Sequence, residues 1–215
     1  MANPMINCSR VSGVIQDFGT THPEKYRESV LLPLRQFWKG PEALPAEKGS
    51  ACVGAAAEGL SFYVCYTDSD IFSTATADNQ KMWTLGDVVE FFVKPGAERS
   101  DYWEIHVTPN HYLMDICIPD RERMTQGDIT WAELLAPDSE TQRHVEVFED
   151  KWAVEVCIPW LAFGVDSVPV SGTTWSFAVC RYNYNGGLDN PEHSSTANLT
   201  ELSYHRWEEY TDLRF

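Results

Sequence analysis

The chain has 215 residues, a length typical of one large all-β domain, and residues 1–215 are expected to form a single domain. It carries 16 basic and 32 acidic residues, a formal net charge of −16. Electrostatic repulsion therefore argues against nucleic acid and anionic membrane surfaces as partners. No apolar run reaches the roughly 20 residues that span a bilayer. No signal peptide is recognisable at the start, which favours a cytoplasmic location.

The predicted elements begin with an N-terminal extension over residues 1–44, with one helix near residues 23–40 that Pro33 should interrupt. From about residue 45, runs rich in Val, Ile, Phe, Tyr and Trp alternate with turn residues at intervals of about ten. Eight strands are predicted, at ACVGAAAE, LSFYVCYTD, DVVEFFVKP, DYWEIHVTP, HYLMDICIP, RHVEVFED, KWAVEVCIP and TTWSFAVCRYNY. A helical turn at IPWLAFG, ended by Gly164, and a polar loop at residues 186–198 follow.

This pattern is typical of an all-β fold, an antiparallel β-sandwich of immunoglobulin-like or jelly-roll type with a few short helical turns. The six cysteines are widely spaced, without CxxC or CxxH pairs. Several lie in apolar strand-like runs, so a zinc site and a disulfide framework are both disfavoured. We expect most of the cysteines to be buried free thiols.

Polar residues interrupt two of the predicted strands. Glu90 lies in the middle of the apolar run DVVEFF. In the next strand, alternation places Tyr102, Glu104 and His106 on one side of the sheet. This face is either exposed to solvent or a binding face. Together with nearby Trp83 it has the aromatic rings and charged side chains that bind sugars by stacking and hydrogen bonding.

The following turn is predicted to set two carboxylates against each other. A two-residue turn at residues 109–110 would pair Val107 with Tyr112 and place Glu104 opposite Asp115. Opposed carboxylates destabilise a strand pair unless a cation, a shared proton or water compensates their repulsion.

A family resemblance emerges from the order of several motifs, WTLGDVVEFFVKPG, YWEIHVTPNHYLMD, WAVEVCIPWLAFG, SFAVCRYNYN and YHRWEEYTDLRF. From about residue 45 onward, the sequence resembles the family 9 carbohydrate-binding modules and their DOMON-like relatives. The most specific element is the W-x-x-x-D-x-x-E-x-F block at Trp83, Asp87, Glu90 and Phe92. The resemblance implies a β-sandwich in which two tryptophans clamp a sugar ring while polar side chains bind its hydroxyls. It also implies structural calcium.

Carried over by position, Trp83 matches one clamp tryptophan and Glu90 a sugar-binding glutamate, with an interval one residue longer than in the family. An arginine expected near Glu104 is absent, and Arg181 is the substitute. The family's second tryptophan falls where this sequence reads HSSTANLTEL, without an aromatic residue.

Two aromatic residues near the C-terminus are candidates for the missing clamp position. Tyr204 and Trp207 either replace the second ring or pack the last strand. Core packing is expected for the tryptophans that lie in apolar or strand contexts, Trp131, Trp152, Trp160 and Trp175.

The leading hypothesis is a non-catalytic carbohydrate-binding module for a mono- or oligosaccharide, linked to polysaccharide catabolism. Its expected carbohydrate-binding residues are Trp83, Glu90, Glu104, His106 and Arg181. No catalytic residue and no cofactor is assigned. Structural calcium stays open because the acidic loop TDSDIF contains Asp68 and Asp70, although turn stabilisation is the more frequent role of such residues.

Three alternatives remain at this stage. A glycoside hydrolase or lyase would use Glu104 and Asp115 as a carboxylate pair. A haem-binding DOMON-like domain would use Met and His ligands, for which the candidates are Met82, Met114, His106 and His111. A structural or interaction domain would bind a partner instead of a sugar, and the sequence gives no indication of oligomeric state.

Overall fold

Two β-sheets make up most of the protein, and the computed structural model describes residues 3–215. Within these residues the strands are β1 Met5–Asn7, β2 Ser9–Arg10, β3 Leu32–Pro33, β4 Gly49–Ala55, β5 Gly59–Thr67, β6 Val88–Lys94, β7 Tyr102–Val107, β8 Leu113–Ile118, β9 Gln142–Val147, β10 Lys151–Pro159, β11 Thr174–Asn183, β12 Glu192–Ser195 and β13 Thr211–Arg214. The eight predicted strands correspond to β4 to β11, and the all-β sandwich is confirmed.

Helical structure is short. The α-helices are α1 Arg121–Gln126 and α2 Trp131–Leu135, and the 3-10 segments are Glu24–Tyr26, Phe37–Lys39, Met82–Thr84, Trp160–Phe163 and Trp207–Glu209. The helical turn predicted at IPWLAFG is confirmed, and Gly164 ends it with a φ of 73°. None of the helices among residues 3–215 is long and apolar enough to cross a membrane.

The strands form two sheets, here called sheet A and sheet B. Sheet A has the order β1-β13-β11-β6-β7-β8, and β12 also pairs with β11. Sheet B has the order β2-β4-β5-β10-β9, and β3 also pairs with β4. The pairs β1–β13 and β2–β4 are parallel, and the other strand pairs described are antiparallel.

The main core lies between the two sheets. Alternate residues of each strand point inward, so that Val89, Phe91 and Val93 of β6 meet Phe62 and Val64 of β5, as the two-residue period of a strand requires. Three of the tryptophans assigned to core packing, Trp152, Trp160 and Trp175, are buried in this core, as predicted.

The outer face of sheet A is also covered. A second apolar cluster, here called the outer cluster, is built on it, and its largest buried members are Phe92, Tyr102, Met114, Tyr204 and Tyr210. Residues of α1, α2 and the segment before β13 pack against this face. Strand β6 is therefore buried on both sides, and Glu90 is only 3% exposed. The alternative of a solvent-exposed polar face is wrong.

The predicted register of the β7–β8 hairpin is also wrong, by one residue. Val107 pairs with Leu113, so Glu104 lies opposite Ile116 and not opposite Asp115. The turn is longer than two residues, and His111 adopts a left-handed φ of 74° within it. A one-residue shift moves a side chain to the other face of a sheet, so Asp115 shares a face with Ile105.

The N-terminal region differs from the prediction as well. In place of an interrupted helix, residues 23–40 contain two 3-10 segments and strand β3, because Pro33 has no backbone N–H to donate and opposes a continuous helix. Strand β12 occupies part of the predicted loop at residues 186–198. All six cysteines lie within the described residues and are free, with Cys52, Cys65 and Cys180 buried and the other three partly buried.

Candidate functional site

A cavity of about 400 Å³ opens on the outer face of sheet A, beneath α1 and α2. Its lining residues are Trp83, Glu90, Phe92, Glu104, Ile116, Met124, Ile129, Trp131, Leu134, Tyr182 and His205. Three of the five predicted carbohydrate-binding residues, Trp83, Glu90 and Glu104, are among them. A larger hollow of about 640 Å³ lies against sheet B and contains none of the five.

The floor of the cavity holds three buried ionisable side chains, here called the Glu104 cluster: Glu90, Glu104 and His106. Glu90 pairs with His106 across β6 and β7, and Glu104 lies two residues along β7 on the same face. His106 Nε2 is 2.6 Å from Glu104 Oε1 and 3.3 Å from Glu90 Oε1. His106 does not line the cavity and instead holds the two carboxylates together from below.

Burial and mutual charge shift the protonation of this cluster. Burial raises the pKa of Glu90 to about 8; the charge of His106 opposes this rise, and Glu104 adds to it. Burial also disfavours ionisation of Glu104, yet the hydrogen bond and charge of His106 hold the pKa of Glu104 below its ordinary value. Burial lowers the pKa of His106, but Glu90 and Glu104 outweigh it and raise that pKa. At neutral pH the cluster therefore contains an ionised Glu104 and a mainly neutral Glu90, and the raised pKa of His106 favours its protonated form.

One carboxylate oxygen of the cluster is left free. Glu104 Oε2 and His106 Nδ1 are buried and have no hydrogen-bond partner among residues 3–215. His205 Nε2 lies 3.8 Å from Glu104 Oε2, beyond hydrogen-bond distance. The other ring nitrogen of His205, Nδ1, is 2.9 Å from the hydroxyl of Tyr102. Because buried acceptors are nearly always paired, Glu104 Oε2 is a place where a ligand gains a bond.

Two tryptophan rings form walls above this floor. Trp83 lies in a 3-10 segment held by the hydroxyl of Tyr184, which donates to the carbonyl of Trp83. Trp131 is the first residue of α2, where Thr130 and Glu133 form a capping box that fixes the start of the helix. The ring centroids of Trp83 and Trp131 are 5.9 Å apart and the planes are inclined at 66°. The rings thus form a corner and not a parallel clamp.

Trp131 is the site residue that the sequence interpretation missed. It was expected to pack the core, and it does pack against the outer cluster, but it is only partly buried and lines the cavity. The signal that predicts its position is the capping-box pattern Thr130-x-x-Glu133, which marks the start of a helix directly before Trp131.

Comparison with known proteins supports the fold. No protein-family model matches the sequence, and no curated protein matches it. Among solved structures, a candidate carbohydrate-binding protein from Bacteroides uniformis has a TM-score of 0.71 at 16% identity, covering 100% of both chains. A family 9 carbohydrate-binding module from Caldicellulosiruptor kristjanssonii, solved with cellotriose and with glucose, has a TM-score of 0.66 at 14% identity. It covers 98% of this chain and 92% and 94% of those chains. The chain has the family 9 fold.

Within this family 9 fold, Arg181 does not lie in the cavity. On β11 it pairs with Val89, whereas Cys180 pairs with Glu90, so Arg181 is on the inner face of sheet A. Its Nη2 is 2.8 Å from Asp68 Oδ2, and its guanidinium lies 4.6 Å from the Tyr66 ring centroid. Arg181 is 1% exposed and out of reach of a ligand that Glu90 contacts.

The acidic loop predicted as a calcium candidate makes its own contacts. Asp68 accepts hydrogen bonds from Trp152 Nε1 and from the backbone of Asp70, and it pairs with Arg181. Asp70 accepts from the backbone of Gly186 at 2.7 Å. This is the turn-stabilising role described above, so most of the oxygens in this loop already have partners.

The two C-terminal aromatic residues considered for the clamp lie elsewhere. Tyr204 is buried, and its hydroxyl donates to the carbonyl of Arg181 at 2.9 Å. Trp207 contacts Lys94 and Arg121, whose cations lie 4.7 and 4.9 Å from its ring centroid. Trp207 is not among the residues that line the cavity, and both residues pack the last part of the chain.

The carboxylate pair of the hydrolase alternative is separated by the observed register. Asp115 accepts a hydrogen bond from the backbone of Ser139 at 2.7 Å on the side of Ile105. The acids that share the cavity are instead Glu90 and Glu104. Met82 and Met114, considered as haem ligands, are both fully buried in the outer cluster.

Proposed function

We propose that this protein is a non-catalytic carbohydrate-binding module that holds a mono- or oligosaccharide in the cavity on the outer face of sheet A. The observation that carries this proposal is the pairing of two tryptophan walls with a free, buried carboxylate oxygen in one cavity. A sugar ring has apolar C–H faces that stack on aromatic rings, and hydroxyls that hydrogen-bond to carboxylates.

Each group has a distinct part in this proposal. Trp83 and Trp131 contact the ring faces. Glu104 Oε2 accepts a hydrogen bond from a sugar hydroxyl, which satisfies the oxygen that has no partner in the structure. Glu90, neutral at physiological pH, both donates to and accepts from a second hydroxyl. His106 positions the two carboxylates from below without reaching the ligand.

The size of the cavity fits a small ligand. A volume of about 400 Å³ is near the lower end of the range for ligand pockets, so one or two sugar rings fill it. The family 9 structures with the same fold were solved with glucose and with cellotriose, which supports sugars of this size as ligands here.

Isothermal titration with a panel of neutral sugars tests the proposal, using glucose, galactose, mannose, xylose and cellobiose. We expect saturable heat with at least one of them. Trp83→Ala should weaken that affinity by at least about thirtyfold, the roughly 2 kcal/mol typical of a buried aromatic anchor. Trp207→Ala is the matched control, because Trp207 lies outside the cavity, and it should bind as the wild type does.

The proposal fails if none of the sugars gives saturable heat with folded wild-type protein. It fails equally if Trp83→Ala binds as tightly as the wild type does. Thermal unfolding of both tryptophan variants shows whether a loss of binding reflects a loss of structure.

A further inference from the structure

We propose that Glu90, Glu104 and His106 form a binding site for one first-row divalent metal ion at the floor of the cavity, with zinc as the ion that the ligand set fits best. The site does not depend on the proposed sugar binding. Its ligands lie at the floor of the same cavity, beneath the space proposed for the sugar.

The geometry places three donor atoms around one point. One ligand atom from each of the three side chains lies within 4.8 Å of the other two. Donors around a tetrahedral zinc ion at about 2.0–2.1 Å are separated by about 3.4 Å, and the separation of His106 Nε2 from Glu90 Oε1 is 3.3 Å. His106 Nε2 and Glu104 Oε1 are 2.6 Å apart and form a hydrogen bond. This distance has to lengthen by less than about 1 Å to admit the ion.

An unpartnered carboxylate oxygen is a second, independent indication. Glu104 is 5% exposed, it lines the cavity, and its Oε2 has no partner among residues 3–215. His205 approaches this oxygen with Nε2 at 3.8 Å, too far for a hydrogen bond but within the span of two donors to one ion. Tyr102 holds the other nitrogen of His205, as an outer partner orients a histidine ligand.

The charges also favour a cation. Two carboxylates are buried side by side, and the cavity-lining residues of the described chain include no lysine or arginine. One divalent ion neutralises the charge of both carboxylates.

The donor types select among metals. Calcium and magnesium prefer oxygen-only sites, whereas imidazole nitrogen favours zinc and its neighbours in the first transition row. The three donors of Glu90, Glu104 and His106 leave at least one further coordination position, which His205, water or a substrate group can take. Because Glu90 and Glu104 both line the cavity, that position faces the space in which we place the sugar.

Metal-free protein titrated with Zn²⁺, and separately with Co²⁺, tests the site by calorimetry and visible absorption. We expect one ion per chain and a Co²⁺ spectrum of low-coordinate type. Glu90→Gln keeps the size of the side chain and removes one ligand, and it should weaken Zn²⁺ affinity by at least about tenfold. His144→Ala is the control, because His144 and Glu146 form an exposed pair 3.0 Å apart, and it should leave the affinity unchanged.

Absence of stoichiometric Zn²⁺ binding to the folded wild type overturns the proposal, and so does Zn²⁺ binding to folded Glu90→Gln with wild-type affinity. Thermal unfolding establishes whether Glu90→Gln is folded. His205→Ala, which changes the cavity wall, is the second variant. A Zn²⁺ affinity that is reduced in His205→Ala but not in His144→Ala supports the proposed metal site. Sugar titration of the metal-free protein separates the two proposals, since sugar binding without Zn²⁺ binding overturns only the metal site.

Discussion

Sheet A has a buried charged cluster on each face, and only the outer cluster leaves a carboxylate oxygen unpaired among residues 3–215. On the inner face, the Arg181 cluster consists of Arg181, Asp68 and Asn183. The two terminal nitrogens of its guanidinium contact both partners and the carbonyl of Thr67, and only the Nε of this group has no partner among residues 3–215. On the outer face, the Glu104 cluster contains two acids, one histidine and no permanent cation, and one of its carboxylate oxygens has no partner.

The difference separates a structural role from a binding role. A buried ion pair whose members mainly bind each other has little left to offer a ligand. A buried cluster with a free acceptor costs stability in the unbound protein, and that cost is recovered when a ligand binds. The sequence assigns Glu90 and Arg181 to one sugar site, but the two residues lie on opposite faces of sheet A. Arg181 therefore has the structural role and Glu90 the binding role.

The largest expected effect is on stability, from Arg181→Ala. This change leaves Asp68 buried without its cation, which typically costs about 3–5 kcal/mol in the free energy of unfolding. Urea denaturation measures the effect. Arg206→Ala, which removes partly exposed ion pairs with Glu201 and Glu209, is the control and should cost less than about 1 kcal/mol. Equal losses of unfolding free energy in Arg181→Ala and Arg206→Ala would contradict the structural role of the Arg181 cluster.

The next effect concerns sugar binding and arises on the outer face. Glu104→Gln removes the charge that accepts the sugar hydroxyl, and we expect a loss of about 1.5–3 kcal/mol in binding free energy, the usual value for a hydrogen bond to a charged group. Calorimetry with the sugar identified by the panel measures it. The free energy of unfolding should fall less in Glu104→Gln than in Arg181→Ala. A larger fall in Glu104→Gln would show that the Glu104 cluster is primarily structural.

A third effect is expected in the pH dependence of stability. Asp87 is fully buried next to the Arg181 cluster. Burial raises the pKa of Asp87 to about 7; the backbone N–H groups of Tyr184 and Phe72 and the charge of Arg181 oppose the rise, and Asp68 adds to it. The folded protein therefore holds a proton that the unfolded chain releases near pH 4. The resulting stabilisation is complete below about pH 4 and is lost as the pH rises to about 7.

Asp87→Asn removes this titration. Relative to the wild type, the variant should gain about 4 kcal/mol in unfolding free energy between pH 4 and pH 7. Chemical denaturation at several pH values measures the difference between the two curves. Parallel curves would show that Asp87 is ionised throughout this range.

The smallest predicted effect tests the corner formed by the two tryptophans. Trp131→Ala should weaken sugar binding by about 0.5–1.5 kcal/mol, the contribution of one aromatic contact, and Trp131→Phe should retain most of the affinity. If Trp131→Ala binds like the wild type, the sugar contacts Trp83 alone.

Much of the fold follows from local sequence pattern. The strands β4 to β11 have strong β-branched and aromatic patterns and were all predicted. The short strands β1, β2, β3, β12 and β13 have two to four residues each, too few to show a period, and they are defined by backbone pairing with distant strands. Tertiary contacts, which a local pattern does not contain, determine them.

The site was predictable only in part, for a similar reason. Alternation along β7 placed Glu104 and His106 on one face, and this holds in the structure. The face of Arg181 depended on the register between β11 and β6, and that of Asp115 on the turn around His111. The left-handed conformation of His111 has no clear sequence signal, because such a conformation is uncommon outside glycine.

The parallel pairing of β1 with β13 bears on how the chain is assembled during synthesis. Met5 is the partner of Asp212, about 200 positions later, and at elongation rates of about 5–20 residues per second the ribosome needs roughly 10–40 s to cover that distance. Strand β1 and the part of β11 that pairs with β13 therefore have that side of their backbone unpaired until β13 leaves the exit tunnel. During that interval the nascent chain exposes a template for strand exchange between neighbouring polypeptides.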